Sequence, residues 1–420
     1  MKRTLALLLA CALGLGLLSG CAPASAVKEL TAPKLSANPS DSEEVNKALA
    51  AFGLELLQKT READPKSTLI SPLSVALALS MAANGADGNT LTQFQEVLGG
   101  GVDLVTLNGA CVQLTQDYQG LKGSTKCSIA NSLWVDPDGQ IKDEFIGKCR
   151  GVFDAQVFQG ELSDPGIVGD LNGWVSNHTN KMIPEIITEP FDENTACLLV
   201  NALYLKNKWL RAFDPGDTYR MDFHYGDGSK SNLDFLHHLD TTLSYIQDKE
   251  AQGVVLPYDD GRLAFFAVQP SPELDFPTYG DPFSMWLDGL EGSDLVRFIN
   301  SREDTMFFHF AMPKFEAEWK GNLEDILPEL GLTDAFVPGT ANFSKMGDNP
   351  YGYYIDKVIH AAKIEVNEKG TEAAAATVVS TNCGSAAPAP EGIILVLDRP
   401  FLYGIVDLDT GVPLFLGTYE

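Results

Sequence analysis

The chain has 420 residues, with 30 Lys+Arg against 57 Asp+Glu and a net charge of −27; 45% of it is hydrophobic and 21% charged. That balance excludes a disordered, collagen-like or polytopic membrane chain. A surface this acidic repels phosphate backbones, which excludes nucleic acid as a partner and disfavours polyanionic cofactors.

Met1-Lys2-Arg3 makes a positive start, residues 5–18 are an apolar run broken only by small residues, and Leu18-Ser19-Gly20-Cys21 follows. A charged start, a short apolar stretch and small residues at the cut describe a secretory signal, too short and Gly-rich for a spanning helix. The Cys21 context resembles the lipobox of bacterial lipoproteins. That resemblance implies a cut before Cys21, acylation of its thiol, and a mature chain tethered on the extracytoplasmic side of a bacterial membrane. Residues 1–20 are thus read as signal, 21–40, rich in Ala, Ser and Pro, as a flexible tether, and 41–420 as the folded domain.

Helical periodicity comes first in that domain. Val45, Leu49, Phe52, Leu56 and Leu57 fall on one helical face. Ser71-Pro72 opens a second helix to residue 83, stopped by Gly85 and Gly88; a third covers 89–98. Ile167, Leu171, Trp174 and Val175 predict another over 166–182. Strand-like runs occupy 128–135, 196–205, 263–268, 306–312, 355–366, 393–397, 401–406 and 413–416. Helices gather early and strands late, without regular βαβ alternation, which points to an α+β fold.

The usual catalytic motifs are missing. The chain has no Gly-x-Ser-x-Gly elbow, no His-Glu-x-x-His helix and no nucleotide-binding glycine loop, and nothing supports an enzyme. His237-His238 lacks companion ligands at metal spacing and reads as a strand pair, so no metal and no cofactor are implied. After Cys11 and Cys21, five cysteines remain: Cys111, Cys127, Cys149, Cys197 and Cys383. They show no disulfide framework; most read as buried small hydrophobes, while Cys383 lies in a polar loop.

Residues 363–379 carry the signal. A good strand, Ile364-Glu365-Val366, runs into Gly370-Thr371-Glu372-Ala373-Ala374-Ala375-Ala376-Thr377, then into a polar stretch, then into another strand. Alanine favours helix, yet strand formers flank this run. At period two, Thr371, Ala373, Ala375, Thr377, Val379 and Thr381 share a face of small or β-branched side chains that could enter a packed interior without overfilling it. Such a segment can be a loop in one state and a central strand in another.

At this point the sequence resembles the serpin family. The run Glu368-Lys369-Gly370-Thr371-Glu372-Ala373-Ala374-Ala375-Ala376-Thr377 matches the hinge of its inhibitory members. Supporting motifs follow in family order: Ile70-Ser71-Pro72-Leu73-Ser74, Val200-Asn201-Ala202-Leu203-Tyr204-Leu205, Met312-Pro313-Lys314-Phe315, Leu330-Gly331-Leu332, His360-Ala361-Ala362-Lys363 and Asp398-Arg399-Pro400-Phe401. The resemblance implies one domain of three sheets and about nine helices, with an exposed reactive loop over about 369–392. It implies a monomer that forms a covalent acyl complex with a target protease and touches the membrane only through its N-terminal lipid. The cut loop would enter the largest sheet as a strand; the 15 residues from Gly370 to Gly384 would span about 50 Å. By the family count the cut bond is Gly384–Ser385, with Asn382, Cys383 and Ala386 as alternatives because the return to Arg399 is long. All are small and none is basic, which favours elastase-like or subtilisin-like targets and leaves a cysteine protease open. Ser71, Ser74, Asn201 and His360 match the family's shutter, and Trp209 its breach at the loop's entry point. Thr371→Arg is expected to stall insertion. A non-inhibitory member acting as a surface binding protein is the alternative.

Overall fold

The computed structural model describes residues 27–64, 68–277, 281–371 and 392–420. The first half of the chain gives β1 (Val27–Leu30), α1 (Glu43–Ala63), β2 (Leu69–Ile70), α2 (Pro72–Ala83), α3 (Gly88–Gly99), α4 (Leu104–Gln119), β3 (Lys126–Val135), β4 (Gln140–Ile141), α5 (Asp143–Val152), β5 (Gln156–Gly160), α6 (Gly166–His178) and β6 (Cys197–Lys208). Then come β7 (Tyr219–His224), β8 (Lys230–Gln247), β9 (Ala251–Pro257), β10 (Leu263–Pro270), α7 (Pro282–Asp288), α8 (Asp294–Asn300), β11 (Arg302–Pro313) and β12 (Phe315–Asn322). The chain closes with β13 (Gly347–Asp348), β14 (Lys357–Asn367), β15 (Gly370–Thr371), β16 (Ile393–Val396), β17 (Phe401–Asp407) and β18 (Pro413–Tyr419). Eight α-helices and three sheets among the described residues make the expected α+β architecture.

Local chemistry sets the helix ends. Ser42 caps α1 by accepting from the Val45 N–H at 3.3 Å, with Glu43 and Glu44 in the first turn and Arg61 in the last, each sign matched to the helix dipole. Every residue of α2 is buried, so it has no polar face. The helix expected over 166–182 stops at His178, because Asn180 and Lys181 take positive φ values of 50° and 65°.

The first sheet has the order β1-β5-β3-β6-β15-β14-β12; the second runs β16-β11-β8-β9-β10-β17-β18-β2, with β7 on β8; β4 and β13 form the third. The main core joins α1 and α2 to the inner faces of the two large sheets. A smaller cluster, including Trp134, Leu171 and Val200, packs α6 on the other face of the first sheet.

The segment expected to be a flexible tether is docked from Val27 onward. β1 pairs antiparallel with β5, from Val27↔Gly160 to Leu30↔Val157. Farther on, the Leu35 N–H donates to Gly147 O at 2.9 Å and the Ser40 N–H to Gly109 O at 3.1 Å, while the Arg150 guanidinium bonds Ala32 O. The groove is cut by glycine: a Cβ on Gly147 would stand 2.6 Å from Pro33 O, and one on Gly151 would collide with the Leu35 backbone. The arm docks mainly through its backbone, which leaves no mark in side-chain periodicity. Gly151→Val is therefore expected to lift the arm and destabilise the fold by about 1–3 kcal/mol, read as a lower melting temperature and new proteolysis within 27–40. Gly169→Ala on α6, where the added methyl meets nothing within 4 Å, should stabilise by up to ~1 kcal/mol.

Candidate functional site: the cleft between β6 and β14

Two strands of the first sheet are joined at one end and wedged apart at the other. β6 and β14 run parallel and pair directly from Lys357↔Leu198 to Ala361↔Ala202. At the far end β15 lies between them, antiparallel to both: Thr371 pairs with Val366 and Asn207, and Gly370 with Asn367 and Lys208. Among the described residues no strand separates 362–365 from 203–206.

The wedge is fixed by close packing. Gly370 has φ 151°, and a Cβ there would run into the Asn207 carbonyl and stand 2.7 Å from Lys208 Cα, so only glycine fits. Thr371 is 2% exposed, and its hydroxyl shares a 2.6 Å hydrogen bond with the Tyr258 hydroxyl. Tyr258 stacks on Trp209, ring centroids 4.9 Å apart and nearly parallel. Trp209 holds the turn before the wedge: its backbone N–H donates to Lys369 O at 3.0 Å and its indole N–H to Asn367 O at 2.8 Å. Glu368 accepts from Lys314 Nζ at 3.0 Å and from the Thr218 hydroxyl at 3.0 Å, while its carbonyl accepts the Phe213 N–H at 2.8 Å.

Glu368, Gly370, Thr371 and Trp209 thus meet at one end of the cleft. Thr371 packs toward the main core, on the face expected for its period-two set. It is already inside the sheet, however, which corrects its use as a test position: Thr371→Arg would bury a charge in the starting fold, and a loss of function would not isolate insertion. Glu372, Ala373, Ala374, Ala375, Ala376 and Thr377, the candidate cut residues Asn382, Cys383, Gly384, Ser385 and Ala386, and the lipidation residue Cys21 lie outside the described residues.

The polar cluster lies on the rung where β6 and β14 pair directly, His360↔Asn201. Asn201 Nδ2 donates to Ser74 O at 2.7 Å and to Asn131 Oδ1 at 2.8 Å, and Ser74 Oγ donates to Asn201 Oδ1. His360 Nε2 accepts the Ser71 N–H at 3.0 Å, and Ser71 Oγ donates to Leu414 O at 2.7 Å. All four expected residues are together, joined by Asn131, which sequence reading had not singled out. Tyr258, Lys314 and Thr218 were likewise missed as site residues; only their side-chain hydrogen bonds in the folded chain reveal them.

Burial pushes His360 down to about 3, and its Nδ1 is buried with no partner among the described residues. Its folded pKa lies below the unfolded value near 6.5, so folding releases a proton between those values. Stability is then full above pH 6.5 and falls as pH drops toward 3. His237 and His238, both held down to about 4 mainly by burial, add to the same slope. We expect a denaturant series to lose a few kcal/mol between pH 7 and 4, with a shallower slope in His360→Gln. His237 and His238 lie on β8, where His237 Nδ1 meets His309 Nε2 at 2.9 Å under the Tyr219 ring.

The cleft can take up a strand: two parallel neighbours, a wedge in antiparallel register, and a polar latch where they close. Known proteins share this arrangement of sequence and fold. The family model described as Serpin (serine protease inhibitor) matches residues 47–420. The chain is 29% identical to plasminogen activator inhibitor 1 of Neovison vison over 414 residues, covering 97% of this chain and 97% of that one. Its structure resembles that of a thermophilic serpin, tengpin, in the native state, with a TM-score of 0.82, 29% identity, and 93% and 97% of the two chains covered. Against tengpin in the latent state the TM-score is 0.75 at the same identity, with 91% and 98% covered.

Proposed function

Since the chain belongs to the serpin family, we propose that it is an irreversible suicide-substrate inhibitor whose cut loop enters the cleft between β6 and β14. The observation that carries this reading is the register of the wedge. Continued downward from Thr371, the pairing with β14 sets Thr377 opposite His360, and the pairing with β6 sets it opposite Asn201. Those two residues are already partners on one rung, so both walls of the cleft define the same path. An entering strand would replace the direct β6–β14 pairing one rung at a time and would turn small or β-branched side chains, Ala373, Ala375, Thr377 and Val379, to one face.

The same register supports a bait placed just beyond the end of the inserted strand. Thr381 falls opposite Cys197, where β6 begins, so the strand runs out of partners just there. A cut at Gly384–Ser385 leaves the acylated residue three positions beyond that end; Asn382, Cys383 and Ala386 are the neighbouring choices. Attack by a protease hydroxyl or thiol on the carbonyl before the cut forms the acyl bond and releases the chain after it as a new N-terminus. Insertion then carries the acylated residue, with its protease, the length of the sheet. Small residues at the bait suit elastase-like or subtilisin-like serine proteases. In this reading the inhibitor is a monomer held on the outer membrane face by acylated Cys21.

The test is to incubate the protein with pancreatic elastase and with subtilisin. A denaturant-resistant adduct and a released C-terminal peptide starting at residue 385, or within 383–387, supports the proposal. Clean loop cleavage without adduct by either protease overturns it and leaves the surface binding protein.

A further inference from the structure

Away from the cleft, a cavity of about 550 Å³ lies beside the link from β16 to β17. Its size and make-up are those of a small-molecule site: apolar walls with a few polar groups. Tyr225, Phe276 and Phe283 supply aromatic surface, and Pro270, Pro282 and Pro400 frame it with backbone whose φ is fixed. A frame of that kind needs little ordering by its occupant, which lowers the entropy cost of binding.

Charge selects the occupant. Arg399 is the lining cation; its side chain is 67% exposed, and Asp398 engages it through Nε at 3.2 Å. Asp281, the lining carboxylate, is committed to capping α7, accepting from the Phe283 N–H at 3.4 Å and the Ser284 N–H at 2.9 Å. The wall also contains Gln269, 7% exposed, whose Oε1 has no donor among the described residues. With a net charge of −27, the general field repels anions, so an anion can be held only by a local cation. We propose that this cavity binds a flat aromatic molecule bearing one carboxylate. The rings pack on Tyr225, Phe276 and Phe283, and the carboxylate meets the Arg399 guanidinium, whose planar fork suits it. The site owes nothing to loop insertion and stands whether or not the protein traps proteases.

Isothermal titration of the full chain with 2-naphthoate, and with neutral 2-naphthalenemethanol as the uncharged probe, tests this. We expect saturable one-site binding of both. Arg399→Gln should weaken naphthoate about tenfold, the value of one charge-assisted contact, and leave the alcohol within about twofold. Leu274→Trp, which fills the cavity from a lining position, should abolish both without lowering the melting temperature of the unliganded protein. The proposal is overturned by unsaturable heats, by binding that survives Leu274→Trp, or by equal weakening of both probes in Arg399→Gln.

Discussion

On the proposed mechanism, replacing Ala375 by arginine is expected to turn the protein into an ordinary protease substrate. Continued from Thr371, the register sets Ala375 opposite Ala362 on β14 and Leu203 on β6. Those neighbours are 0% and 3% exposed and face the main core, so an arriving guanidinium would have to shed its water with no carboxylate waiting. The several kcal/mol this costs falls on the rate of insertion, and insertion competes with hydrolysis of the acyl bond. In the proposed mechanism position 375 enters the sheet only after the cut, so Ala375→Arg should melt with the parent, unlike Thr371→Arg. The measurement is the number of inhibitor molecules consumed per protease inactivated, expected to rise more than about tenfold, the effect of some 1.4 kcal/mol on the competing rates. An unchanged ratio with a persistent adduct would show that this face does not enter the core.

Cutting the loop is expected to make the protein more stable. Between Glu372 and Thr381 successive inserted residues would bond the two walls alternately, and the Ala, Thr and Val methyl groups that enter the sheet would be buried. The hinge lies between 357–367 and 197–208, strands already ordered, so only the incoming segment loses conformational freedom. For a chain this long we expect the melting temperature of the cut form to exceed that of the intact form by more than about 10 °C. Equal melting temperatures would mean that the cleft stores nothing for the loop to release, and the trapping mechanism would fail with it.

Much of this was legible in the sequence, and the gaps have physical causes. α1, α2 and α3 lie where their spacing and caps put them. α4 was missed because Asn108, Gly109 and Cys111 share its buried face and blur the apolar stripe. β7 and β12 were missed because charged or polar residues occupy every second position, and β8 because its one continuous buried run, Phe235-Leu236-His237-His238, is half histidine. The site was legible as motifs: Asn201 and His360 share one rung, and Ser71 and Ser74 at the start of α2 hydrogen-bond to it. Composition could not show that Thr371 already sits in the sheet, since that depends on the hydroxyl of Tyr258, 113 positions away. Nor could it show the docked arm, which is held mainly through its backbone, by the β1–β5 ladder and by close approach to glycines.

The direction of β1 has a consequence for how the molecule would stand at a surface. Val27 pairs with Gly160, near the rung where Val135 meets Cys197, and Gly370 meets Lys208 at the opposite pole. Eleven steps of β6 separate those poles, roughly 36 Å. With the proposed lipid on Cys21, six positions before Val27, the lower pole would hang within about 20 Å of the bilayer, and the pole that carries Gly370 and Thr371 would face outward. Capture would then swing an enemy enzyme from the open medium round to the cell's own side, turning an exposed lure into a berth beside the lipid.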